Sequence, residues 1–571
     1  MKIHSACKTK YNHEYIESIG IGVIFDTFTY EGAGYIEEWE VAFSNGDTVN
    51  GETVEEFIEF LDELKEKYWL RKRSEYNKDT ILLYTNDIDK VFYFLHNYDE
   101  NIKGFGTYYF TFKEVFEFRD ITIWNDKCSS TIEIAQYAQT LIDELFLPNR
   151  YFYITPTQSI TKKIKKRCNS DIAKELYPKS PLEYQLWRNA YFGGIFVANT
   201  TDLILQDSIT VEYDRDSAYI YDLLIEKHLC EPLYETDVKN FAYYLENEDK
   251  YFSIMQIKIR HIFGIHRVLS YLKDVKGQKL SEDKQQTLYI TNTDLLILEK
   301  FTKLVDYEVT KIWVGKKDYL PRYVASVIEE EYAQKVELKP TKNLYPEKYH
   351  LQKVKVNSIY GCTVKHFFGK FNEEKNNAYL APQWGILTSA YARRKLLFVA
   401  SQLKNWYYSA ADSIFCEDCI ENAKVIDEFN KECLENVIQY CLRNGLDIKT
   451  FKDLGQFKVE VLIKKMLILG KQQYMYTTVD GEFCMQASGI PKGKYTEEEA
   501  YKLKSKFSSD KEHRISAGTR VAGRFNENVT SCTINGKTYT SNGSYYDKNI
   551  NDTQICCIAY LSSLLKKKGI K

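Results

Sequence analysis

The chain has 571 residues, more than one ordinary hydrophobic core holds, so we expect two to four packed domains. Hydrophobic residues at 44% and charged residues at 27% are typical of a globular protein. The formal net charge of −3 excludes a global basic field, so any nucleic-acid binding must depend on local patches. No apolar run reaches the roughly 18 residues of a membrane-spanning helix, and we expect no membrane partner.

The cysteines and the basic stretches give only weak indications of zinc or nucleic-acid binding. The 13 cysteines are an odd number and follow no secretory signal, so we expect reduced thiols and a cytoplasmic protein. Cys416 and Cys419 have the CxxC spacing, but Cys433 and Cys441 do not form the second pair that zinc needs. The basic stretches at 162–167, 392–395 and 564–571 are candidate nucleic-acid contacts or solvated helix faces.

The predicted elements in chain order begin with an N-terminal α/β region. Strands are predicted at 19–28 ("IGIGVIFDTF") and 80–86 ("TILLYTN"), with an amphipathic helix at 54–70 between them. A basic helical stretch follows at 159–188. Further on, the sequence predicts a strand that turns into a helix at 208–225, two helices around a loop at 346–401, a β-hairpin at 406–415, and then mixed strands with a terminal helix.

Two acidic residues stand where strands end. Asp214 ends an alternating strand and is followed by Ser217 and Tyr219, whereas Asp412 lies at the tip of the predicted hairpin. Burying an acid without a cation is costly, so both are candidate metal ligands. Two-metal phosphoryl transfer needs carboxylates from separate segments around ions about 3.5–4 Å apart. Either acid alone is weak evidence for a metal site, because surface acids at strand ends are commoner.

The stretch "LQKVKVNSIYGC" supplies a third group of polar side chains. Lys353, Asn357 and Tyr360 fall on one face of a helix predicted to end at Gly361. A cation, an amide and an aromatic ring in this order suit a triphosphate, a sugar and a base. An amphipathic helix with a core tyrosine is the alternative explanation.

The order of these motifs resembles the B-family DNA polymerases, and within them the protein-primed branch of phages and linear plasmids. "DRDSAYI" is similar to motif A, "KVKVNSIYG" to motif B, "YYSAADSIF" to motif C, and "YFGG" to the Tyr-x-Gly-Gly element. "LGKQQYMY" and "ASGIPKG" resemble later palm and thumb segments. The resemblance covers about 191–493.

The resemblance implies a multidomain chain of α/β and α+β class. A ribonuclease-H-like, exonuclease-type N-terminal domain would precede a right-handed polymerase of palm, fingers and thumb. The implied domains are 1–158 exonuclease-like, 159–190 basic connector, 191–235 palm with motif A, 236–345 palm with an insertion that contacts a priming protein, 346–400 fingers with motif B, 401–480 palm with motif C, and 481–571 thumb and C-terminal helix.

The resemblance also assigns roles to residues. Asp214 and Asp412, with the backbone carbonyl of Arg215, would bind two Mg²⁺ ions, for which Mn²⁺ could substitute. Tyr219 would be the steric gate against the ribose 2′-hydroxyl. The implied nucleotide-binding residues are Ser217, Ala218, Tyr219, Lys353, Asn357 and Tyr360. The implied DNA-binding residues are Tyr191, Gly193, Gly194, Lys471 and Tyr474.

Motif C departs from the family pattern. Ala410 stands where the family has the first motif C aspartate. An introduced silencing substitution and a natural loss of the acid both explain this alanine. The family's Lys-x-Tyr would fall on Gln472 and Tyr474, so its lysine is missing unless Lys471 replaces it. We expect the chain as written to extend primers poorly.

The exonuclease acids are mostly missing. Asp26 is present but Phe28 replaces the expected Glu, and Asn86 is followed by Lys90 rather than Asp. No tyrosine between 100 and 180 is followed four residues later by Asp. One acid cannot hold two metal ions, so we expect no 3′–5′ proofreading.

These observations leave two functional hypotheses. The first is an exonuclease-deficient, DNA-directed DNA polymerase whose partners are primer-template DNA, deoxynucleoside triphosphates and, if it is protein-primed, a terminal protein. A defence-associated, loosely templated polymerase is a variant of it. The second hypothesis is a catalytically silent polymerase fold that binds DNA or a partner protein. The nucleotide-pocket residues favour the first, and Ala410 with the missing exonuclease acids favours the second.

Overall fold

The computed structural model describes residues 21–30, 33–67, 81–86, 103–105, 109–112, 116–120, 130–145, 156–199, 203–204, 208–344, 346–365, 379–470, 473–487, 531–534 and 537–540, with Ile88, Val91 and Leu95. The N-terminal elements in this set are β1 (Ile21–Tyr30), β2 (Ala33–Phe43), β3 (Thr48–Gly51), α1 (Val54–Lys67), β4 (Ile81–Thr85), β5 (Lys103–Phe105), β6 (Tyr109–Phe112), β7 (Phe116–Asp120) and α2 (Thr131–Leu145).

The N-terminal strands form one seven-stranded sheet with the order β3-β2-β1-β4-β7-β6-β5. Strand β1 pairs antiparallel with β2 and parallel with β4, and β4 pairs parallel with β7. Helix α2 crosses β1 at Gly22, where a Cβ atom would lie 2.4 Å from the carbonyl oxygen of Thr131, so the crossing requires glycine. The strands predicted at 19–28 and 80–86 are confirmed as β1 and β4.

The predicted amphipathic helix is confirmed as α1. Phe57, Leu61 and Leu64 recur at helical spacing and are buried against the sheet. Its first turn is a capping box, in which Thr53 Oγ1 accepts the Glu56 backbone N–H at 3.2 Å and the Glu56 carboxylate accepts the Thr53 N–H at 3.3 Å.

The basic stretch predicted to be helical contains three helices, α3 (Pro156–Arg167), α4 (Ile172–Leu176) and α5 (Pro181–Ala190). Ser180 begins α5 because its hydroxyl accepts the Glu183 backbone N–H at 3.1 Å, and Pro181 occupies the first turn. The elements that follow are β8 (Phe196–Ala198), β9 (Leu203–Ile204), β10 (Thr210–Arg215), α6 (Ala218–Ile225), β11 (His228–Leu229), β12 (Tyr234–Thr236), α7 (Phe241–Glu246), β13 (Tyr251–Phe263), β14 (Gln286–Thr291), α8 (Asn292–Lys300) and β15 (Leu304–Asp318).

The remaining helices and strands complete the described part of the chain. They are α9 (Arg322–Leu338), α10 (Pro346–Val364), α11 (Pro382–Ala400), β16 (Trp406–Ala410), β17 (Ser413–Glu417), α12 (Ile420–Asn444), α13 (Ile448–Phe451), β18 (Phe457–Gly470), β19 (Gln473–Thr478), β20 (Phe483–Ala487), β21 (Ser531–Ile534) and β22 (Lys537–Thr540). No helix among the described residues has the length and apolar character that a bilayer crossing demands.

The second large sheet carries the two candidate acids. Its order is β20-β19-β18-β10-β17-β16-β8, with β9 paired to β18, so β10 is central and runs antiparallel to both of its neighbours. Along β10 the buried residues alternate with the half-buried ones, as the sequence predicts. A separate sheet of β11-β15-β13-β14, with β12 paired to β15, is formed by residues between β10 and α9.

A buried ion cluster fixes the end of β10. Because side chains alternate along a strand, Arg215 points to the face opposite its neighbour Asp214. The Arg215 guanidinium donates to both carboxylate oxygens of Asp222 at 3.2 Å, and its Nε donates to the Gly455 carbonyl oxygen at 2.8 Å. Lys395 on α11 donates to the same Asp222 carboxylate at 2.8 Å. The cluster therefore joins β10, α6 and α11.

Removing the shared carboxylate should destabilise the fold strongly. Asp222→Ala leaves the buried Arg215 guanidinium without its carboxylate partner, while Lys395 keeps its pair with Glu226, and we expect a cost of about 3–5 kcal/mol. Glu308→Ala, which removes the exposed partner of Arg260, is the control and should change stability by less than about 1 kcal/mol. Urea denaturation followed by circular dichroism measures both changes. Equal midpoints for the two variants would contradict the structural role of the cluster.

Candidate functional site

The structure brings the two candidate acids side by side. Asp214 on β10 is the pairing partner of Ser413 on β17, the residue that follows Asp412. The Arg215 backbone N–H donates to the Asp412 carbonyl oxygen at 3.0 Å, which ties the end of β10 to the hairpin turn. The predicted hairpin is confirmed as β16 and β17, with Asp412 at its tip.

The hairpin turn is tight and strained. The Asp412 backbone N–H lies 2.6 Å from the carbonyl oxygen of Ala410, and Ala411 between them has a positive φ of 54°. A two-residue hydrogen bond around a residue with positive φ describes a γ-turn, which is rare and strained for non-glycine residues. The Ala411 N–H also donates to the Ile195 carbonyl oxygen at 2.8 Å. Ala410 ends β16 beside the acids and supplies no carboxylate there.

Burial raises the pKa of both acids, and the charge of Asp412 raises that of Asp214 further. Burial is the main reason that the pKa of Asp214 rises to about 7, and the charges of Asp412, Glu460 and Glu212 raise it further. Burial also raises the pKa of Asp412, against the opposing effects of its own backbone N–H, Arg215 and Lys353. Two half-buried carboxylates side by side are a donor set suited to a hard divalent cation.

A third protein carboxylate does not complete this pair. Among the residues that the structure describes, no group of three or more His, Cys, Asp or Glu side chains is arranged to hold a metal ion. Asp214, Asp412 and the backbone carbonyl of Arg215 are the candidate ligands.

Aromatic rings line the space beside the acids. The ring of Tyr219 stacks on Tyr360 with centroids 4.5 Å apart, and the hydroxyl of Tyr360 lies 3.3 Å from that of Tyr191. A Cβ atom on Gly194 would lie 2.6 Å from the Tyr219 hydroxyl and 3.5 Å from the Ala411 Cβ atom. Glycine at 194 therefore lets the backbone lie against both the ring and the hairpin turn. The motif A, motif B and Tyr-x-Gly-Gly residues are thus close together.

Arg393 holds the Tyr-x-Gly-Gly segment in place. It is buried, forms a two-pronged ion pair with Asp294 at 2.8 Å, and donates to the Gly193 carbonyl oxygen at 2.9 Å. The neighbouring Arg394 pairs with Glu248 at 2.8 Å. The interpretation of 392–395 as a nucleic-acid contact or a solvated face is therefore wrong, because its cations form ion pairs within the protein.

The basic stretch at 162–167 also contains cations that form ion pairs within the protein. Lys163 pairs with Glu331, and Arg167 pairs with Glu330 at 2.7 Å, so two of its cations fix α3 against α9. Lys165 and Lys166 are exposed. The third basic stretch, 564–571, lies outside the described residues.

The motif B residues lie on α10 as predicted, although the helix is longer than expected. Lys353 and Asn357 are exposed, and the ring of Tyr360 is half-buried. The prediction that the helix ends at Gly361 is wrong, since α10 continues to Val364. Close packing against Gly385 of α11, where a Cβ atom would lie 2.5 Å from Val364 Cγ1, explains the extra residues.

Sequence reasoning missed a lysine-rich group beside motif A. Lys335, Lys339 and Lys458 all approach the carboxylate of Asp216, at 3.1, 3.7 and 3.7 Å. Ser217, with a positive φ of 52°, donates its hydroxyl to the same carboxylate at 2.9 Å. The spacing of Lys335 and Lys339, one helical turn apart, is the pattern in the sequence that could have identified it.

The predicted primer-contacting residues and exonuclease positions lie on other parts of the chain. The ring of Tyr474 on β19 packs between Tyr408 and Phe415, with centroids 5.0 and 5.4 Å away, so it lies within the sheet's hydrophobic cluster. Lys471 lies outside the described residues. Of the exonuclease positions, Asp26 and Phe28 lie on β1 and Asn86 follows β4, whereas Lys90 lies outside the described residues.

Comparison with known proteins identifies a similar fold. No protein-family model matches the chain, and no curated protein does. Phi29 DNA polymerase complexed with primer-template DNA and incoming nucleotide has a TM-score of 0.57 over 93% of this chain and 99% of that chain, at 12% identity. Phi29 DNA polymerase complexed with single-stranded DNA has a TM-score of 0.56 over 92% and 98%, at 12% identity. This chain has a multidomain polymerase fold. The division into named domains stays a prediction, because the likeness is one of fold alone.

The raised pKa of Asp214 predicts a pH-dependent stability. The folded protein keeps a proton on Asp214 up to pH about 7, whereas an unfolded chain releases it near pH ~4. Stability from this group is therefore present at low pH and lost as the pH rises through that window. Asp214→Asn should melt a few degrees higher than the parent at pH 8 and depend less on pH.

Thermal unfolding at pH 5 and pH 8 measures this difference. Asp427→Asn, at an exposed position on α12, makes the same change in charge and serves as the control. An Asp214→Asn variant that melts at or below the parent at pH 8 would contradict a repulsive carboxylate pair.

Proposed function

We propose that this chain is a DNA-directed DNA polymerase of the B-family type that catalyses nucleotidyl transfer. One observation carries the proposal: Asp214 and Asp412 lie side by side at the ends of paired strands, next to the stacked rings of Tyr219 and Tyr360. The similar fold of phi29 DNA polymerase, solved with primer-template DNA and nucleotide, supports the same class of partners. A fold alone does not establish an activity, so the site must carry the argument.

The carboxylates fit a metal-dependent reaction. Asp214, Asp412 and the Arg215 carbonyl would hold two Mg²⁺ ions, with Mn²⁺ as a substitute. When bound, such ions activate the attacking hydroxyl and stabilise the charge on the leaving phosphate. The chain's own contribution is to present both carboxylates from paired strands, so that a primer 3′ oxygen bonds to the α-phosphorus as pyrophosphate leaves.

The nucleotide would lie between motif A and motif B. Lys353 is exposed and close enough to influence the pKa of both acids, which suits a triphosphate contact. Tyr219, held by its stack on Tyr360, would exclude a ribose 2′-hydroxyl by its bulk. Ser217 and Ala218 begin the helix beneath the nucleotide, and Asn357 would face the nascent base pair.

The DNA contacts follow from the same arrangement. The segment of Tyr191, Gly193 and Gly194 lies beside the rings of Tyr219 and Tyr360 and would meet the template strand. Glycine there permits close approach of the backbone to phosphate. Lys471 and Tyr474 would steady the primer. The primer is either a nucleic-acid end or the hydroxyl of a terminal protein that contacts the insertion at 236–345, in the cytoplasm of a host cell.

Two features limit the activity of the chain as written. Ala410 removes one negative charge beside the metal ligands, and a primer end misplaced by 1 Å reacts about 100-fold more slowly. The first 158 residues, with Asp26 as the one matching exonuclease acid in the sequence, would not proofread.

A catalytically silent fold that binds DNA or a partner protein is the second candidate function, and Ala410 is the observation that favours it.

Restoring the missing acid tests the proposal. Ala410→Asp should raise the rate of primer extension with Mg²⁺ or Mn²⁺ by at least about 100-fold over the parent. Ala410→Asn is the matched control, because it adds a side chain of nearly the same size at the same position without the negative charge. A gel assay on a labelled primer-template records extension, and the same gel reveals any shortening of the primer.

The outcomes separate the two candidate functions. Extension by Ala410→Asp alone supports a polymerase, and its loss when Asp412→Asn is added assigns the activity to this site. Equal extension by the parent and Ala410→Asp would contradict the role of position 410. No extension by any variant, with DNA primers or with candidate priming proteins, would favour the silent fold. Metal-dependent shortening of the primer would contradict the absence of proofreading.

The steric gate gives an independent test. In the Ala410→Asp background, Tyr219→Ala should increase incorporation of ribonucleotides relative to deoxyribonucleotides by at least about tenfold, because the ring that excludes the 2′-hydroxyl is gone. Tyr219→Phe keeps the ring and should retain discrimination. Single-nucleotide incorporation kinetics measure the ratio, and unchanged discrimination in Tyr219→Ala would exclude Tyr219 as the gate.

A further inference from the structure

A cluster of lysines surrounds one carboxylate beside the proposed metal ligands. Lys335 Nζ lies 3.1 Å from Asp216 Oδ1 and donates to the Ser217 hydroxyl at 2.6 Å. Lys339 Nζ and Lys458 Nζ each lie 3.7 Å from Asp216 Oδ2. We call Lys335, Lys339 and Lys458 the lysine cluster. None of its members belongs to the motifs that identify the site.

The lysine cluster has more positive than negative charge. Asp216 faces all three lysines, and the second acid that pairs with the cluster is Asp453, 2.7 Å from Lys458. The side chains of Lys335 and Asp216 are 10% and 13% exposed, so water screens them weakly. The charge of Lys353 also acts on Lys335. Lys339 and Lys458 are 46% and 39% exposed, so the surplus positive charge lies where a further anion can reach it.

The lysine cluster borders the proposed reaction site. Asp216 follows Asp214 by two residues, and Lys458 is the pairing partner of Asp214 on the neighbouring strand. Lys353 acts electrostatically on Asp214 and Asp412 as well as on Lys335, so its charge is felt by both the acids and the cluster. An anion bound beside the acids would therefore lie near Lys458 of the cluster, the strand partner of Asp214.

We propose that Asp216 is an internal counter-ion that competes with the phosphate chain of a nucleoside triphosphate for the lysine cluster. The proposal rests on the proposed function for the identity of this anion. Asp216 keeps the ammonium groups together but lowers the affinity of any anion that replaces it. A triphosphate carries more negative charge than a mono- or diphosphate, so it displaces the carboxylate more readily. Asp216 would therefore favour triphosphates over shorter phosphates.

Inorganic tripolyphosphate is a direct probe, because it needs neither DNA, metal ions nor catalysis. Isothermal titration of the full chain at fixed low salt should show that Asp216→Asn binds it at least about tenfold more tightly than the parent. The gain should be larger for inorganic pyrophosphate, because removing Asp216 removes the preference for the longer, more highly charged anion. Lys335→Met should bind tripolyphosphate more weakly than the parent. Asp249→Asn, at an exposed position outside the lysine cluster, is the control and should match the parent.

Several results would overturn the proposal. Equal or weaker binding by Asp216→Asn would show that the carboxylate organises the lysines without competing. Absence of tripolyphosphate binding by the parent and by Asp216→Asn would show that the cluster is not an anion site. If Asp216→Asn does not fold, Lys335→Met is compared with Lys335→Met/Asp216→Asn, which removes the buried pair together. The double variant should bind tripolyphosphate more tightly than Lys335→Met does.

This test is separable from the test of the polymerase. If Asp216→Asn gains affinity but Ala410→Asp extends no primer, the counter-ion inference stands and the polymerase proposal fails. If Ala410→Asp extends primers but Asp216→Asn gains no affinity, the polymerase proposal stands and the counter-ion inference is overturned.

Discussion

The repulsion between the partly buried carboxylates of Asp214 and Asp412 is the constraint on which the rest of the site depends. Burial raises the pKa of both groups, and the charge of Asp412 raises that of Asp214 further, so the protein must hold them together against an electrostatic cost. The paired strands β10 and β17 supply the rigid support. Arg215, on the opposite face of β10, locks the strand to α6 and α11 through Asp222 and Lys395.

The surroundings of the acids divide into a basic side and an aromatic side. The lysine cluster surrounds Asp216 of motif A, whereas Tyr219 stacks on Tyr360, whose hydroxyl meets that of Tyr191. Gly194 lies against the Tyr219 hydroxyl. Arg393 fixes the backbone of the segment that contains Gly194 through a buried pair with Asp294. The acids are therefore flanked by positive charge and by aromatic rings, the two kinds of contact that a nucleotide uses.

The sequence predicted the parts of the fold that depend on local pattern. Alternation identified β10, helical spacing identified α1 and α10, and motif order indicated the polymerase fold. Interactions between distant segments were not predictable in this way. Arg393 looked like a surface cation because its partner, Asp294, is 99 positions away. The cluster around Asp216 and the end of α10 beyond Gly361 likewise depend on packing between helices that no short stretch of sequence encodes.

Counting bound Mn²⁺ by electron paramagnetic resonance tests the central claim most directly, because it observes the metal site without requiring turnover. With a deoxynucleoside triphosphate present, the account predicts two tightly bound ions in Ala410→Asp. It also predicts weaker binding in the parent and loss of binding when Asp214→Asn is added. Mn²⁺ binding that persists without the Asp214 carboxylate, or no binding in any variant, would contradict a metal-dependent site at these two acids.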